Sequence, residues 1–266
     1  MAVHLMKRKL CRPADSSLVK TRGTLPGLPQ NRAMLCDASL LAKNFLATQP
    51  WFTALDGAGQ ARLLGQLDLL PASKGQTVLP AGEPVQGWYA VLSGLVKLQT
   101  ATTEDGKRSA FIGVPDGEWF GEGSVLKGEA RRYAVVALRD SCLMCLPRAA
   151  FNELQQHNLR FNQYLVQHLN MRLGQAMALI EAGRTRAPEH RVALYLSRLF
   201  WRSTRRLYLT QEELGSLVGL SRQTVNRVLR QLAERGIVSL ELGRVVIVDD
   251  GALNRFLATS AQPEAR

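Results

Sequence analysis

A chain of 266 residues, 46% of them hydrophobic, is long enough to bury cores in two domains of ordinary size. No apolar run approaches the roughly 18 residues of a membrane span, and the start MAVHLMKRKLCRP has basic residues without the apolar core of a signal peptide, so the protein is read as cytoplasmic, with no membrane partner. The formal charge of +12 is unevenly placed: residues 1–40 hold 7 basic and 2 acidic side chains, residues 41–183 hold 13 and 12, and residues 184–266 hold 14 and 8.

The middle is nearly neutral and both ends are basic. All 14 basic residues of the last segment are arginine, whose planar fork suits phosphate and guanine. The four cysteines, Cys11, Cys36, Cys142 and Cys145, make no disulfide framework in a chain of this length, which agrees with a reducing compartment.

Residues 1–40 mix Pro, Gly, Ser and basic residues without apolar periodicity and read as a basic, mobile arm. From Phe45 to Leu70 apolar residues recur three and four apart, a helical pattern with turns at Pro50 and at Gly57 to Gly59. From Pro71 to about Pro147 short alternating runs are separated by turn signals such as SKGQ, PAGEP, TEDGKR and VPDGE. This is the signature of a small all-β sandwich or barrel, with WYAVLSGLVKLQT and RRYAVVALRDSCLMCLPR as its clearest strands. Residues 41–155 therefore read as an all-β domain with flanking helices.

From Ala149 to Ala182 the period is helical. Val166, Leu169, Leu173, Ala176 and Ile180 follow the alternating three–four spacing of a coiled-coil seam, so 156–183 is read as a dimerisation helix. A face packed on its own β-domain is the other reading of that stripe. Gly183 and Pro188 mark a hinge at 184–187, followed by a second domain over 188–255 and a tail over 256–266.

The stretch LTQEELGSLVGLSRQTVNRVLRQLAERGIVSL has the layout of a helix-turn-helix. Thr210 caps a first helix, with Glu213 completing a capping box; Gly215 is small where two helices cross, Gly219 permits the turn, and Ser221 caps the second helix. Val225, Val228, Leu229 and Leu232 form its buried face, leaving Arg222, Gln223, Thr224, Asn226 and Arg227 outward. Arg can bind O6 and N7 of guanine, Gln prefers adenine, and Thr meets a thymine methyl or a phosphate. The following IVSLELGRVVIVD reads as a two-stranded wing with Gly243 at its tip and Arg244 poised for phosphate.

No catalytic constellation accompanies these motifs: there is no Ser-His-Asp ordering, no phosphate-binding glycine loop after a strand and no metal-binding histidine pair. The chain is read as a non-enzyme. Cys142 and Cys145, three apart on a strand, fall on opposite faces and would not share a metal easily. His157 or His168 would be the axial ligand of a haem sensor, against the plainer reading of a solvated or packed histidine. Thiol oxidation would fall to Cys11 or Cys36.

Over residues 45 to 250 the chain resembles the Crp/Fnr family of bacterial transcription regulators, in LTQEELGSLVGLSRQTVNRVLRQLAERGIV and in AGEPVQGWYAVLSGLVKL. The resemblance implies an α+β chain: an N-terminal β-roll of the cyclic-nucleotide-binding jelly-roll type, a long dimerisation helix and a C-terminal winged helix-turn-helix. It further implies a homodimer on a pseudo-palindromic site in double-stranded DNA that recruits or blocks RNA polymerase. Arg222, Gln223, Thr224 and Arg227 then fall at the base-reading and adjoining positions. Gln223 stands where the cyclic-AMP type carries a glutamate, so the half-site need not be the same.

For the signal site, the family's β-rolls hold a cyclic phosphate with a glycine amide and an arginine, and a ribose hydroxyl with a glutamate; Gly121, Arg132 and Glu122 match these by resemblance. Tyr133 replaces the small hydroxyl residue after the arginine, and Ala176 and Met177 replace the base-contacting hydroxyls of the long helix, while Arg172 could still reach a ligand. Three outcomes stay open: a cyclic nucleotide, another small acidic ligand, or no diffusible ligand. The alternative from another class is a ligand-binding adaptor whose helix-turn-helix contacts protein.

Overall fold

The computed structural model describes residues 32–100, 110–185, 187–202, 205–242 and 244–259. Three helices open it: α1 (Arg32–Ala47), α2 (Pro50–Thr53) and α3 (Gly57–Leu64). Pro50 takes the first helical position of α2, and the Asp56 carboxylate accepts from Gly59 N at 2.7 Å to cap α3. Residues 32–40 are thus helical rather than part of a mobile arm. The cause is a narrow stripe, Ala38, Ala42 and Leu46, whose four-residue spacing buries one face against the first core.

Eight strands follow: β1 (Asp68–Ala72), β2 (Thr77–Leu79), β3 (Gly87–Ser93), β4 (Leu95–Thr100), β5 (Ala110–Pro115), β6 (Trp119–Phe120), β7 (Tyr133–Ala137) and β8 (Ser141–Pro147). β1 takes the end of the stretch that reads helical, because Leu67 and Leu69 are buried in alternation and the strand pairs with β8 from Asp68 onward. Two antiparallel four-stranded sheets, ordered β1-β8-β3-β6 and β2-β7-β4-β5, face each other. Strand alternation divides their side chains. Tyr89, Val91, Val96, Leu98, Val135 and Leu143 fill the space between the sheets, while Trp88, Ala90 and Leu92 turn to a second layer of helices. Cys142 packs with the helical layer and Cys145 between the sheets, the opposite faces that their spacing dictates.

The segment Phe120–Val136 is not continuous strand. It contains α4 (Glu122–Lys127), bracketed by Gly121 at φ +88° and Gly128 at φ +68°, left-handed conformations that glycine adopts without strain. The helical layer is α5 (Arg148–His157) and α6 (Leu159–Thr185), separated at Asn158, whose Oδ1 accepts from Phe161 N at 2.9 Å. Trp88 stacks on Trp119 with centroids 4.2 Å apart, and Phe151 and Phe161 meet Trp88 edge-on. This aromatic cluster fixes the N-terminal half of α6 to the β-roll.

α6 continues through Gly183 to Thr185, so the break before the next domain is shorter than the Gly183–Pro188 spacing suggests. The C-terminal domain comprises α7 (Pro188–Leu196), β9 (Arg206–Leu207), α8 (Gln211–Val218), α9 (Arg222–Glu234), β10 (Val238–Glu241), β11 (Arg244–Ile247) and α10 (Asp250–Thr259). Its three-stranded sheet is ordered β10-β11-β9. The tail expected from residue 256 begins inside α10, because Leu253 is buried in the domain core with Phe256 and Leu257 packed against it.

The two domains meet along β4, β5 and α8. Leu95 and Leu138 join the C-terminal core, Gly113 N donates to Tyr195 Oη at 2.9 Å, and Lys97 Nζ donates to Ser216 Oγ at 3.1 Å. Arg139 grips Glu213 through two contacts of 3.2 and 2.8 Å and also donates to the Tyr208 carbonyl. Among the described residues no helix is long and apolar enough to cross a membrane.

Candidate nucleic-acid interface and signal site

Local chemistry builds the helix-turn-helix. Thr210 Oγ1 accepts from Glu213 N at 3.1 Å and Glu213 Oε2 accepts from Thr210 N at 2.8 Å, a reciprocal capping box at the start of α8. Gly219 ends α8 at φ +68°, and a Cβ on Gly215 would lie 2.7 Å from the Leu220 carbonyl oxygen. The close crossing therefore requires glycine. Ser221 Oγ caps α9 by accepting from Thr224 N at 3.1 Å and lies 2.9 Å from Thr224 Oγ1.

Val225, Val228, Leu229 and Leu232 are buried, which turns the other side of α9 to solvent. Arg222, Gln223 and Arg227 are exposed there, with Thr224 and Asn226 half-buried beside them. Thr210 and Ser221 spend their side-chain oxygens on the caps. Arg244 lies on the strand β11 with its guanidinium 4.4 Å from the Tyr208 ring centroid and 3.8 Å from Glu241, while Gly243 lies outside the described residues.

The stripe on α6 divides differently from its spacing. Val166, Leu173, Ala176 and Ile180 are exposed, but Leu169 is half-buried against its own β-roll, and Met177 joins the exposed side. Leu159, Val166, Leu173 and Ile180 stand seven residues apart, a single exposed apolar line. Val166 to Ile180 thus leaves about two heptads of apolar surface without a partner among the described residues.

At the candidate signal site Gly121 is buried at the N-terminus of α4 and Glu122 turns inward. Its carboxylate lies 3.4 Å from His168 Nε2 on α6, too far for a good hydrogen bond. Burial raises the Glu122 carboxyl, but His168 and the nearby Arg172 outweigh that and hold it below the usual carboxylate range. Arg172 itself donates to Gln175 Oε1 at 2.9 Å and to the Trp119 carbonyl. Burial and then the Glu122 carboxylate push the Tyr133 hydroxyl up to about 12.

Arg132 does not join this group. Its side chain is 77% exposed and pairs with Glu129 at 3.4 Å. The neighbouring Arg131 turns inward instead, buried with its guanidinium 5.3 Å from the Tyr89 ring centroid. Adjacent residues entering a strand point to opposite sides, so the pair Arg131–Arg132 offers one arginine to the interior and one to solvent. Glu122, matched with Arg132 by resemblance, therefore has His168 and Arg172 beside it instead.

His168, weighed from sequence as a haem ligand, is buried between Trp88 and Tyr164, and His157 is exposed at the end of α5. Cys11 lies outside the described residues. Three residues that sequence reasoning missed are Arg131, Arg139 and Glu189, the last 2.8 Å from Arg227. No local signal marks them, since Arg139 and Glu189 find partners 74 and 38 residues away.

Two protein-family profiles match the chain: "Cyclic nucleotide-binding domain" over residues 70–158 and "Crp-like helix-turn-helix domain" over residues 190–256. It is 31% identical over 199 residues to the "Cyclic AMP receptor protein" of Thermus thermophilus, covering 72% of this chain and 92% of that protein. It is 28% identical over 218 residues to the "CRP-like cAMP-activated global transcriptional regulator" of Mycobacterium tuberculosis, covering 79% of this chain and 97% of the relative. Among solved structures, a CRP/FNR-family transcriptional regulator from Thermus thermophilus superposes with a TM-score of 0.53 at 28% identity, over 73% of this chain and 100% of that one. FixK2 from Bradyrhizobium japonicum shares the fold with a TM-score of 0.62 at 21% identity, over 75% of this chain and 99% of that one. With its β-roll, long helix and capped helix-turn-helix in the matching order, the chain belongs to the Crp/Fnr family of DNA-binding transcription regulators.

Proposed function

We propose that the regulator works as a homodimer paired along α6, reads a pseudo-palindromic site with α9 of each protomer, and acts on transcription in the cytoplasm by recruiting or blocking RNA polymerase. The observation that carries this reading is α9 itself: a capped helix whose buried face is apolar and whose first turns hold Arg222, Gln223, Thr224, Asn226 and Arg227 toward solvent. Two such helices about one helical turn, roughly 34 Å, apart would read two half-sites. Ser221, Thr210 and Arg244 support the helix-turn-helix and its wing as capping and phosphate-facing residues.

The β-roll is proposed to sense a small acidic ligand, a cyclic nucleotide being one of that class. Gly121, Glu122, Tyr133 and Arg172 gather there with Arg131, and two guanidiniums favour an anion. Ala176 and Met177 are exposed and offer no side-chain hydrogen bond to a nucleobase. A second reading, a regulator of the same fold without a diffusible effector, is favoured by the engagement of Glu122 with His168 and Arg172.

The test is selection of genomic DNA fragments by purified full-length protein, with and without cyclic nucleotides. A shared two-fold motif, bound with an affinity that falls steeply with salt, is the expected result. Absence of any motif, or binding indifferent to salt, would refute DNA reading and favour the adaptor.

A further inference from the structure

The first turn of α7 faces the DNA-reading helix with a carboxylate. Glu189 follows Pro188 at the start of α7, where an acidic side chain is favoured by the helix dipole and the backbone is fixed by the proline ring. Its Oε1 accepts from Arg227 Nη1 at 2.8 Å. Glu189 is the more enclosed partner, with 27% of its side chain accessible against 53% for Arg227. Two residues on, Arg191 donates to the Val218 carbonyl at the end of α8, so the first turn of α7 is tied to both helices of the reading motif.

An ion pair this exposed adds little to stability. Its effect falls on what Arg227 can do. A free arginine loses rotamer freedom whenever a ligand orders it. With one N–H committed to Glu189, the guanidinium is held in one orientation and keeps its other donors for a neutral acceptor edge such as guanine O6 and N7. A phosphate at the same place would sit beside the Glu189 carboxylate and be repelled. Only a ligand that accepts hydrogen bonds without carrying charge fits both groups.

We propose that Glu189 is a positioning residue for base reading, which orients Arg227 toward a base edge and disfavours its use as a general phosphate contact. This inference rests on the reading of α9 as the DNA-contacting helix.

The experiment measures binding of the full-length protein to its selected site, to every single-base variant of one half-site and to random duplex, across a range of salt, for wild type, Glu189→Gln, Arg227→Ala and the double variant. Glu189→Gln should reduce discrimination about 5-fold, the low end for one bidentate base contact, at the position that Arg227→Ala also flattens. On random DNA its salt slope should steepen by about 0.9, as one repelled phosphate becomes available. The double variant should match Arg227→Ala alone, because Glu189 acts through Arg227.

Equal change at all positions, or additive effects of the two substitutions, would overturn the proposal. If Arg227→Ala flattens one position and Glu189→Gln leaves it intact, this inference alone falls. If Arg227→Ala flattens none, base reading by Arg227 falls with it.

Discussion

Leu173→Glu tests the α6 stripe most directly. Leu173 stands inside the exposed line Leu159, Val166, Leu173 and Ile180, with Met177 beside it, and 61% of it is accessible. Full burial of a leucine is worth about 1.5–3 kcal/mol, so the accessible part carries about 1–2 kcal/mol per protomer, or about 2–4 kcal/mol for both copies in a dimer. Losing that weakens association about 30-fold to several hundred-fold, before the repulsion between two introduced carboxylates is added. Because the side chain contributes little to its own core, circular dichroism and thermal unfolding of the protomer should be unchanged. Sedimentation over a concentration range measures the dimer constant, and titration of full-site and half-site DNA follows its consequence. The variant should be monomeric where the parent is dimeric and should lose the full-site advantage while keeping half-site binding. A dimer constant within a few-fold of the parent would refute pairing along this face.

Three further outcomes are expected. Arg222→Ala should cost roughly 1–3 kcal/mol of discrimination at one base position per half-site; equal losses on specific and random DNA would make Arg222 a phosphate contact. Gly215→Ala places a Cβ 2.7 Å from the Leu220 carbonyl oxygen, which costs about 1–3 kcal/mol of overpacking against a gain of at most about 1 kcal/mol in helix propensity. Its unfolding midpoint should fall, and an unchanged or raised midpoint would remove the close crossing as the reason for glycine. Glu122 is held below its unfolded value, so its ionised form contributes stability that is complete above the ordinary carboxylate range and is lost as pH falls through the folded value. Wild type should therefore lose urea resistance more steeply than Glu122→Gln below about pH 5, and parallel profiles would contradict the Glu122–His168–Arg172 cluster.

Interactions that close within four residues were legible in the sequence. The capping box of Thr210 and Glu213, the cap at Ser221, the left-handed turn at Gly219 and the apolar period of α9 each lie inside one short window. They determine a helix-turn-helix wherever the chain places it. The alternation of the β-roll was equally visible, and with it the separation of Cys142 from Cys145. The buried stripe of α1 was not, because Ala38 and Ala42 are too small to stand out from their polar neighbours until they lie against a core.

Only the tertiary structure decided which of two adjacent arginines enters the β-roll. A one-residue change of phase at a strand entrance exchanges inside and outside, and Arg131 and Arg132 are identical to any sequence window. The same holds for partners far apart in the chain. Glu122 meets His168 across the β-roll and α6, Arg139 meets Glu213 between domains, and Glu189 meets Arg227 between two helices. The sequence by itself determined that this chain folds a capped helix-turn-helix behind an all-β domain, since periodicity and caps are local. Which charges face that helix and fill that roll was left to packing, because a carboxylate or guanidinium takes its partner from whatever the folded chain brings within reach.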